Sequence, residues 1–236
     1  MKTPGNLFLI PTIISEGTEK SVIPAGLLEE IKPLRIFLAE DVRTARRYLS
    51  SLRIYESIAA LSFTVLNKDT QEAALEEMFA PIFSGEHIGV LSESGCPGIA
   101  DPGALAVQFA HRKKIKVIPL VGPSSILLAL MASGLNGQQF AFHGYLPIDA
   151  KECTQRIKVL EKESSAKSQT QIFIETPYRN NPVLKNLLTA LNSTTRLSIA
   201  LDLTGKNEFI STRSVGEWKK ELPELMKAPV VFSFLA

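Results

Sequence analysis

Short runs of aliphatic and β-branched residues alternate along the chain with longer stretches in which apolar residues recur at helical spacing. In the first half, this pattern predicts strands at 6–13, 34–39, 62–66, 87–92 and 115–121. The clearest helical patterns between them lie at 41–52, 69–80 and 102–113. Strands that alternate with helices are typical of βαβ units, so we expect a largely parallel sheet.

The second half opens with a helical pattern near 124–134. Predicted strands follow near 139–143, 170–175, 195–202, 206–212 and 229–235, and predicted helices lie near 150–163, 181–191 and 214–221. Because few residues separate 195–202 from 206–212, these strands are predicted to form a hairpin, which makes the second sheet mixed. The polar segment 162–170 (KESSAKSQT) is predicted to be an exposed loop.

These patterns predict an α/β fold with two α/β domains, at residues 1–121 and 122–236. The N-terminal domain is expected to hold a mainly parallel sheet and the C-terminal domain a mixed one. A chain of 236 residues is long enough for two domains. Its 45% of hydrophobic and 21% of charged residues argue against disorder, and a formal net charge of +2 favours no class of partner.

Several kinds of site are disfavoured by what the sequence lacks. Cys96 and Cys153 are too few for a disulfide framework, and the scattered histidines show no ligand spacing, so we expect no metal. No run reaches the roughly 18 apolar residues that a membrane span requires, so we expect a cytoplasmic protein without membrane contact. Neither the dinucleotide-binding Gly-x-Gly-x-x-Gly nor the phosphate-binding P-loop motif occurs, so a nucleotide-like ligand would need other loops.

The strongest candidate for ligand binding is the glycine loop, Ser92–Gly98, which follows the fourth predicted strand and leads to Asp101-Pro102-Gly103. Open α/β sheets hold their ligands at loops that leave the carboxyl ends of strands. Gly95 and Gly98 allow a ligand to approach the backbone closely. The alternative is a tight turn in which Asp101 caps a helix that begins at Pro102.

Three further corners could contribute to the same kind of site. Gly122–Ser125 follows the fifth predicted strand and can cap the next helix, whose first amides point at any ligand there. Pro11-Thr12 ends the first strand, and Glu175–Arg179 joins a carboxylate, an aromatic ring and a cation at a later strand-to-helix corner. For the Gly122–Ser125 turn alone, capping is the commoner role, and the Glu175–Arg179 corner fits a helix start with Pro177 near its first position equally well.

A basic helix face follows the second predicted strand. Glu40 and Asp41 suit the N-terminus of this helix because its macrodipole favours negative charge there. Arg43, Arg46 and Arg47 then share one face of the helix. This face is either a solvated surface or a site for an anion or for RNA phosphates.

Taken in order, these corners resemble the tetrapyrrole methylase family, and most closely its branch of bacterial methyltransferases that modify a cytidine ribose 2′-oxygen in small-subunit ribosomal RNA. The family motif Pro-Thr is matched at Pro11-Thr12, and Ala-Glu-Asp-x-Arg is matched at Ala39–Arg43. The motif Ser-Asp-Ala-Gly-Thr-Pro, with a following Asp-Pro-Gly, is matched at Ser92–Pro97 and Asp101–Gly103. Pro-Leu-x-Gly-Pro is matched at Pro119–Pro123, and Tyr-Glu-x-x-x-Arg at Glu175 and Arg179. The ordered set is far more specific than any one motif.

The resemblance implies two α/β domains that hold S-adenosylmethionine in a cleft between them, a homodimer, and methyl transfer to ribosomal RNA or the small ribosomal subunit. The cofactor contacts that it implies are Pro11, Ser94, Gly95, Cys96, Ile99, Ser124, Ser125, Glu175 and Ala200. The substrate-side candidates are Glu40, Asp41, Arg43, Asp101 and Arg179. No residue is identified as a catalytic base.

The sequence departs from the family at a few positions. Ile13–Gly17 replaces the usual Pro-Ile-Gly-Asn-Leu, Ile174 replaces the tyrosine before Glu175, and Lys227-Ala228-Pro229 replaces Lys-Gly-Glu. The sequence also stops at Ala236, before an extra C-terminal region that many relatives carry. Two alternatives to an RNA methyltransferase therefore stay open: methylation of a small molecule such as a tetrapyrrole or of a modified protein residue, and non-catalytic binding of S-adenosylmethionine.

Overall fold

A computed structural model describes residues 3–236 of the chain. The chain divides into two compact units, of which the first runs up to Ser124 and the second from Ser125 to Ala236. The described residues form one five-stranded sheet in each unit, as the α/β prediction required.

The first unit is built around a parallel sheet with strand order β3-β2-β4-β1-β5. Its strands are β1 (Leu7–Ile10), β2 (Ile36–Ala39), β3 (Ser62–Val65), β4 (Ile88–Leu91) and β5 (Val117–Pro119). Its helices are α1 (Glu19–Val22), α2 (Ala25–Ile31), α3 (Val42–Ser51), α4 (Glu72–Phe83) and α5 (Gly103–Arg112), with a 3₁₀ turn at Ile58–Ala60. The predicted parallel sheet is confirmed.

Helices cover both faces of this sheet, which explains why its central strands are apolar throughout. Along β1, Leu7 packs with one cluster of buried side chains, while Phe8 and Ile10 pack with another. The same alternation occurs in β2, where Leu38 joins the first cluster and Phe37 the second. Successive side chains of a strand point to opposite faces, so each central strand contributes to two cores.

The second unit is built around a mixed sheet with strand order β6-β7-β10-β8-β9. Its strands are β6 (Phe140–Phe142), β7 (Thr170–Glu175), β8 (Arg196–Leu201), β9 (Phe209–Ser214) and β10 (Val230–Leu235). Its helices are α6 (Ser125–Ser133), α7 (Ala150–Lys167), α8 (Asn180–Ala190) and α9 (Val215–Lys220). Only β6 and β7 pair in parallel, and β8 with β9 forms the predicted hairpin, so the predicted mixed sheet is confirmed.

The prediction of an exposed loop at 162–170 is wrong. Helix α7 continues to Lys167 and ends at Ser168, whose left-handed backbone (φ +49°) stops it, and Thr170 already lies in β7. Ser164 is fully buried, and its hydroxyl donates to the carbonyl of Gln169 and accepts from the amide of Ala236. Most of the other polar residues of this segment lie on the exposed face of the last turns of α7.

A buried carboxylate on α7 anchors the start of the β8–β9 hairpin. Glu161 is 7% exposed. Its two oxygens accept hydrogen bonds from the backbone amide of Asn192 (2.7 Å), from the side-chain amide of Asn192 (2.9 Å) and from the hydroxyl of Thr195. A buried charge needs such partners, and here they tie α7 to the turn that precedes β8.

Candidate functional site

Three loops meet at the carboxyl edge of the parallel sheet, because the strands that they follow, β4, β1 and β5, are neighbours. The amide of Thr12, after β1, donates a hydrogen bond of 2.9 Å to the carbonyl of Gly95 in the glycine loop. The thiol of Cys96 donates to the carbonyl of Pro123 at 3.4 Å. Gly122 packs so closely on Pro11 that a Cβ at position 122 would overlap that ring. We call this arrangement the three-loop junction.

The glycine loop has a backbone that only glycine adopts easily. Gly95 (φ +73°) and Gly98 (φ +82°) both lie in the left-handed region. The carboxylate of Asp101 accepts hydrogen bonds from the amides of Gly98 and Gly103 (2.8 Å for Gly103), and it thereby closes the loop. Helix α5 begins at Gly103 with Pro102 as its N-cap, one residue later than predicted.

The residues with implied cofactor contacts differ in exposure within this junction. Ser94 and Ile99 are exposed, with Ile99 at 52%, whereas Cys96, Ser124 and Ser125 are half-buried. Pro11 is buried, and its carbonyl accepts a hydrogen bond of 2.9 Å from the hydroxyl of Tyr48 on α3. The structure therefore brings Pro11 into the same junction as the glycine loop and the Gly122-Pro123 turn.

Thr12 contributes a buried hydroxyl that the sequence did not single out. Its side chain is 3% exposed, and its Oγ1 has no hydrogen-bond partner among residues 3–236. Most buried hydroxyls are hydrogen-bonded, because an unpaired one loses the bonds that water would give. An orphaned hydroxyl inside a junction of glycine-rich loops fits a polar group of a bound ligand.

The corner after β2 supplies acidic and basic side chains. Asp41 is the N-cap of α3, and its carboxylate accepts a hydrogen bond of 2.6 Å from the amide of Thr44. Hydrogen bonds from the Thr44 backbone and side chain lower the pKa of Asp41. Glu40 and Arg43 are exposed. Asp41 therefore has a structural role in starting α3, whatever else it does.

The basic face of α3 is partly engaged within the protein. The Arg47 guanidinium lies 3.1 Å from the Glu16 carboxylate in an exposed ion pair. The guanidinium of Arg46 lies over the ring of Phe63, 5.2 Å from its centre. Arg43 is exposed one turn before Arg47. Of the three arginines, Arg43 has the side chain most available to an anion.

Glu93 is a functional candidate that the sequence analysis did not select. Partial burial raises the pKa of Glu93 above its ordinary value, and the negative charges of Glu40, Asp41 and Asp101 raise it further. These four carboxylates gather because β2 and β4 are neighbours whose carboxyl ends meet. The signal in the sequence was its position, two residues after the end of β4.

In the second unit, Glu175 and Arg179 form a brace at the β7–α8 corner. The Glu175 side chain is fully buried, and its Oε1 lies 3.0 Å from Nη2 of Arg179. Burial raises the pKa of Glu175, against the opposing effects of the Thr176 amide and Arg179. Arg179 also donates to the carbonyls of Leu146 (3.1 Å) and Pro147 (3.0 Å). Both side chains thus hold this corner together.

Ala200 lies within β8, opposite Val231 of β10, and is 1% exposed.

The described residues contain no group of histidine, cysteine, aspartate and glutamate side chains suited to a metal ion. Among the helices of residues 3–236, none is long and apolar enough to cross a membrane.

Comparison with curated proteins finds relatives that are named as ribosomal RNA methyltransferases. Proteins named ribosomal RNA small subunit methyltransferase I match from Escherichia coli O157:H7 (30% identity over 230 residues, 96% of this chain and 76% of that protein) and from Xylella fastidiosa (32% over 204 residues, 86% and 70%). The protein of that name from Halalkalibacterium halodurans is 32% identical over 220 residues, which cover 92% of this chain and 72% of that protein. No family model matches the chain.

Solved structures with this fold include two methyltransferases. Uroporphyrin-III-C-methyltransferase from Thermus thermophilus superposes with a TM-score of 0.55 at 16% identity, over 98% of this chain and 92% of that one. The methyltransferase CobJ gives a TM-score of 0.62 at 14% identity, over 98% and 94%. At these identities the likeness concerns the fold alone.

Proposed function

The chain belongs to the ribosomal RNA small subunit methyltransferase I family, a branch of the tetrapyrrole methylases, and from this membership we propose that it methylates a ribose 2′-oxygen of small-subunit ribosomal RNA. It is a methyltransferase, and S-adenosylmethionine is the methyl donor that this family uses. The observation that carries the proposal is the three-loop junction, where the loop of Gly95 is hydrogen-bonded to Thr12, whose buried hydroxyl has no partner among residues 3–236.

The proposed cofactor site uses Pro11, Thr12, Ser94, Gly95, Cys96, Ile99, Ser124 and Ser125. Glu175 and Ala200, which the resemblance also implies, remain proposals, and their side chains are buried in this structure. The sulfonium of bound S-adenosylmethionine supplies an electrophilic methyl group, so the protein has to bind, orient and deprotonate the acceptor. The closed glycine loop performs the first of these tasks by holding its amides and carbonyls in place before any ligand arrives.

The proposed acceptor side is the carboxylate group at the ends of β2 and β4. The carboxylates of Asp41 and Asp101 accept hydrogen bonds from backbone amides, so they hold α3 and the glycine loop in position. The carboxylate of Glu93, whose pKa is raised by burial and like charges, can accept the proton of the ribose hydroxyl. Arg43, on the exposed face of α3, binds a phosphate of the RNA. Arg179 keeps its contacts with Glu175 and with the carbonyls of Leu146 and Pro147.

Radiolabelled methyl transfer tests the function directly. Purified protein is incubated with labelled S-adenosylmethionine and, in parallel, with small ribosomal subunits, total RNA and tetrapyrroles. Label in the RNA of the subunits, located at a 2′-O-methylcytidine by nuclease digestion and mass spectrometry, is the expected result. Label in tetrapyrroles alone would move the assignment to a small-molecule methyltransferase, and cofactor binding without any transfer would indicate a non-catalytic protein.

A methyltransferase that acts on ribosomal subunits works in the cytoplasm, and fractionation of cells would check this. The homodimer that the family resemblance implies would be seen by sedimentation equilibrium as twice the mass of the 25.9 kDa chain.

A further inference from the structure

The β7–α8 corner of the second unit carries an aromatic ring in solvent with a cation over it. Tyr178 is 80% exposed. Nζ of Lys227 lies 5.7 Å from the centre of the Tyr178 ring. Single exposed apolar residues are common on protein surfaces, so exposure by itself defines no site. The backbone around these two side chains distinguishes this corner.

Tyr178 lies on a turn that hydrogen bonds and an ion pair of the next residue, Arg179, hold in place. The amide of Arg179 donates to the carbonyl of Thr176 at 2.9 Å, which closes the turn around Tyr178. The guanidinium of Arg179 reaches back to Glu175 and to the carbonyls of Leu146 and Pro147. The corner and the loop after β6 are therefore one ordered surface, although the Tyr178 ring itself packs little.

Lys227 stands on a second segment that is tied to the same corner. The side-chain amide of Asn180 donates to the carbonyls of Met226 (3.1 Å) and Ala228 (2.7 Å), on either side of Lys227. Asn181 exchanges two hydrogen bonds with the backbone of Leu225. Both asparagines open α8, directly after Tyr178 and Arg179 in the chain. The ring and the cation are thus presented by backbone that is already ordered, which lowers the cost of ordering on binding.

Exposed apolar side chains flank the pair on the same segments. Ile148 is 87% exposed on the loop that Arg179 holds, and Met226 is 44% exposed beside Lys227. We call Ile148, Tyr178, Met226 and Lys227 the corner platform. Four side chains cannot supply the roughly 800 Å² per partner of a standard protein–protein interface. A planar, anionic group of small size suits this platform better.

We propose that the corner platform binds one unpaired nucleotide of the RNA substrate, with the base stacked on Tyr178 and its phosphate beside Lys227. Single-stranded RNA is commonly bound by stacking of splayed bases on aromatic side chains, and cations bind its phosphates. Lys227 covers one face of the ring, so the base stacks on the other. This assignment rests on the proposed function, because it takes the substrate to be RNA.

Fluorescence titration of a single-stranded RNA oligonucleotide that contains 2-aminopurine tests the platform, since stacking quenches this base. Wild-type protein quenches it on binding, and Tyr178→Ala weakens binding by about tenfold, near the low end of the stacking contributions measured by alanine substitution. Tyr178→Phe keeps the ring and binds within about twofold of wild type, in keeping with stacking on any aromatic face. Phe83→Ala, which removes an exposed ring (46%) from the first unit, leaves the titration unchanged.

The contribution of the Lys227 ammonium group is measured separately, through the salt dependence of RNA binding. Lys227→Gln lowers the slope of log affinity against log salt by about 0.7, the value for one phosphate neutralised on a single strand. An equal loss in Tyr178→Phe and Tyr178→Ala would overturn the proposal, because a hydroxyl contact would then replace stacking. A change in sedimentation for Tyr178→Ala with normal quenching would also overturn it and would assign the platform to contact with a second copy.

Methyl transfer to small ribosomal subunits separates this proposal from the proposed function. The platform predicts that Tyr178→Ala raises KM for the subunit about tenfold with kcat and S-adenosylmethionine binding unchanged. Unchanged KM in an active protein overturns the platform and leaves the function standing. If wild-type protein transfers no label to RNA, the proposed function fails, and the oligonucleotide titration still decides the platform.

Discussion

The amide of Thr12 donates a hydrogen bond of 2.9 Å to the carbonyl of Gly95, and this bond makes the loops after β1 and β4 a single structural element. The hydroxyl of the same Thr12 has no partner among the described residues although it is buried. The amide of Thr12 is therefore satisfied by the protein, whereas its hydroxyl is the polar group of the junction that we expect a ligand to engage.

S-Adenosylmethionine is expected to stabilise the native protein, because the unfolded chain lacks the three-loop junction. At about 100 times the dissociation constant, the free energy of unfolding should rise by roughly 2.7 kcal/mol. Titration calorimetry and thermal unfolding measure the effect. Equal stabilisation by ATP or NAD would identify a different ligand, and no heat with no shift in Tm would remove the cofactor assignment.

Gly95→Asp should abolish S-adenosylmethionine binding in a protein that still folds. A side chain at position 95 is strained because φ is +73°, and its Cβ would lie 3.4 Å from the carbonyl of Pro123. The added carboxylate would also bring a charge into the three-loop junction, which Gly95 shares with Thr12. Calorimetry on the folded variant gives the answer.

Gly134→Asp is the matched control for that experiment. Gly134 also has a left-handed backbone (φ +65°), but no atom lies within 4 Å of an added Cβ there. It should carry a similar strain, of the order of 1–2 kcal/mol, and bind the cofactor as wild type does. If both variants bind equally well, the glycine loop is only a turn.

Glu93→Gln should lower kcat of methyl transfer by about 10²-fold or more if Glu93 accepts the ribose proton. The pKa of Glu93 is raised, so its active, charged form appears at a higher pH than for an ordinary glutamate. The rate should therefore rise with pH through that raised pKa and level off above it. A pH–rate profile of the wild-type protein measures this rise in rate, and the Glu93→Gln variant should not show it.

Glu86→Gln controls for the loss of one charge, because Glu86 is exposed near the opposite, amino end of β4. It should leave both kcat and the pH profile unchanged. An active Glu93→Gln variant with the wild-type profile would exclude Glu93 as the base.

Replacing Arg43 and Arg47 together by Gln should weaken binding of the RNA substrate and flatten its salt dependence. The slope should fall by about 0.7 to 0.9 for each phosphate that the variant no longer neutralises, while S-adenosylmethionine binding stays constant. Stability should change by less than about 0.5 kcal/mol, because the Arg47–Glu16 ion pair is exposed. Filter binding at several salt concentrations measures the slope.

Arg112→Gln is the corresponding control, since Arg112 also forms an exposed ion pair, 2.6 Å from Glu72, but on α5. It should leave the slope as in wild type. If the double variant of Arg43 and Arg47 has the same salt-dependence slope as Arg112→Gln, the basic face of α3 is a solvated surface.

Glu161→Ala should lower the free energy of unfolding by about 2–3 kcal/mol. The substitution leaves the backbone and side-chain amides of Asn192 and the hydroxyl of Thr195 without their acceptor. Urea denaturation measures the loss, with Lys162→Ala, on the exposed side of the same turn, expected to stay within about 0.5 kcal/mol of wild type. Equal stability of the two variants would contradict the anchoring role of Glu161.

Hydrophobic periodicity was sufficient to predict the two sheets, because their strands are short apolar runs bounded by turns. It failed at 162–170, where most polar residues of α7 face outward, while Ser164 on the helix and Thr170 in β7 are buried. Composition does not separate a solvated helix face from a loop, and the end of α7 depends on the left-handed Ser168. Helices α1 and α2 were also missed, since their buried residues are few.

The corners of the candidate site were predictable, because each follows a strand end at a glycine or proline. The partners of their side chains were not. Asp101 was expected at most to cap the following helix, yet its carboxylate also accepts from the amide of Gly98 and so closes the glycine loop. Asp41 was expected near the N-terminus of its helix, and the structure identifies the amide of Thr44 as its partner. The pKa of Glu93 is raised by partial burial and by carboxylates that the fold brings close to it, and neither effect is visible in the sequence. The pairing of Tyr178 with Lys227 likewise depends on the bonds by which Asn180 holds the segment around Lys227.

The position of β10 has a consequence for synthesis of the chain. All five strands of the parallel sheet have been made once Pro119 is added, so the first unit can fold while translation continues. In the second unit, β10 comes last and pairs with both β7 and β8. Until it emerges from the ribosome, β6–β7 and β8–β9 are two separate pieces with unpaired edges, the condition in which nascent β-structure aggregates or engages chaperones.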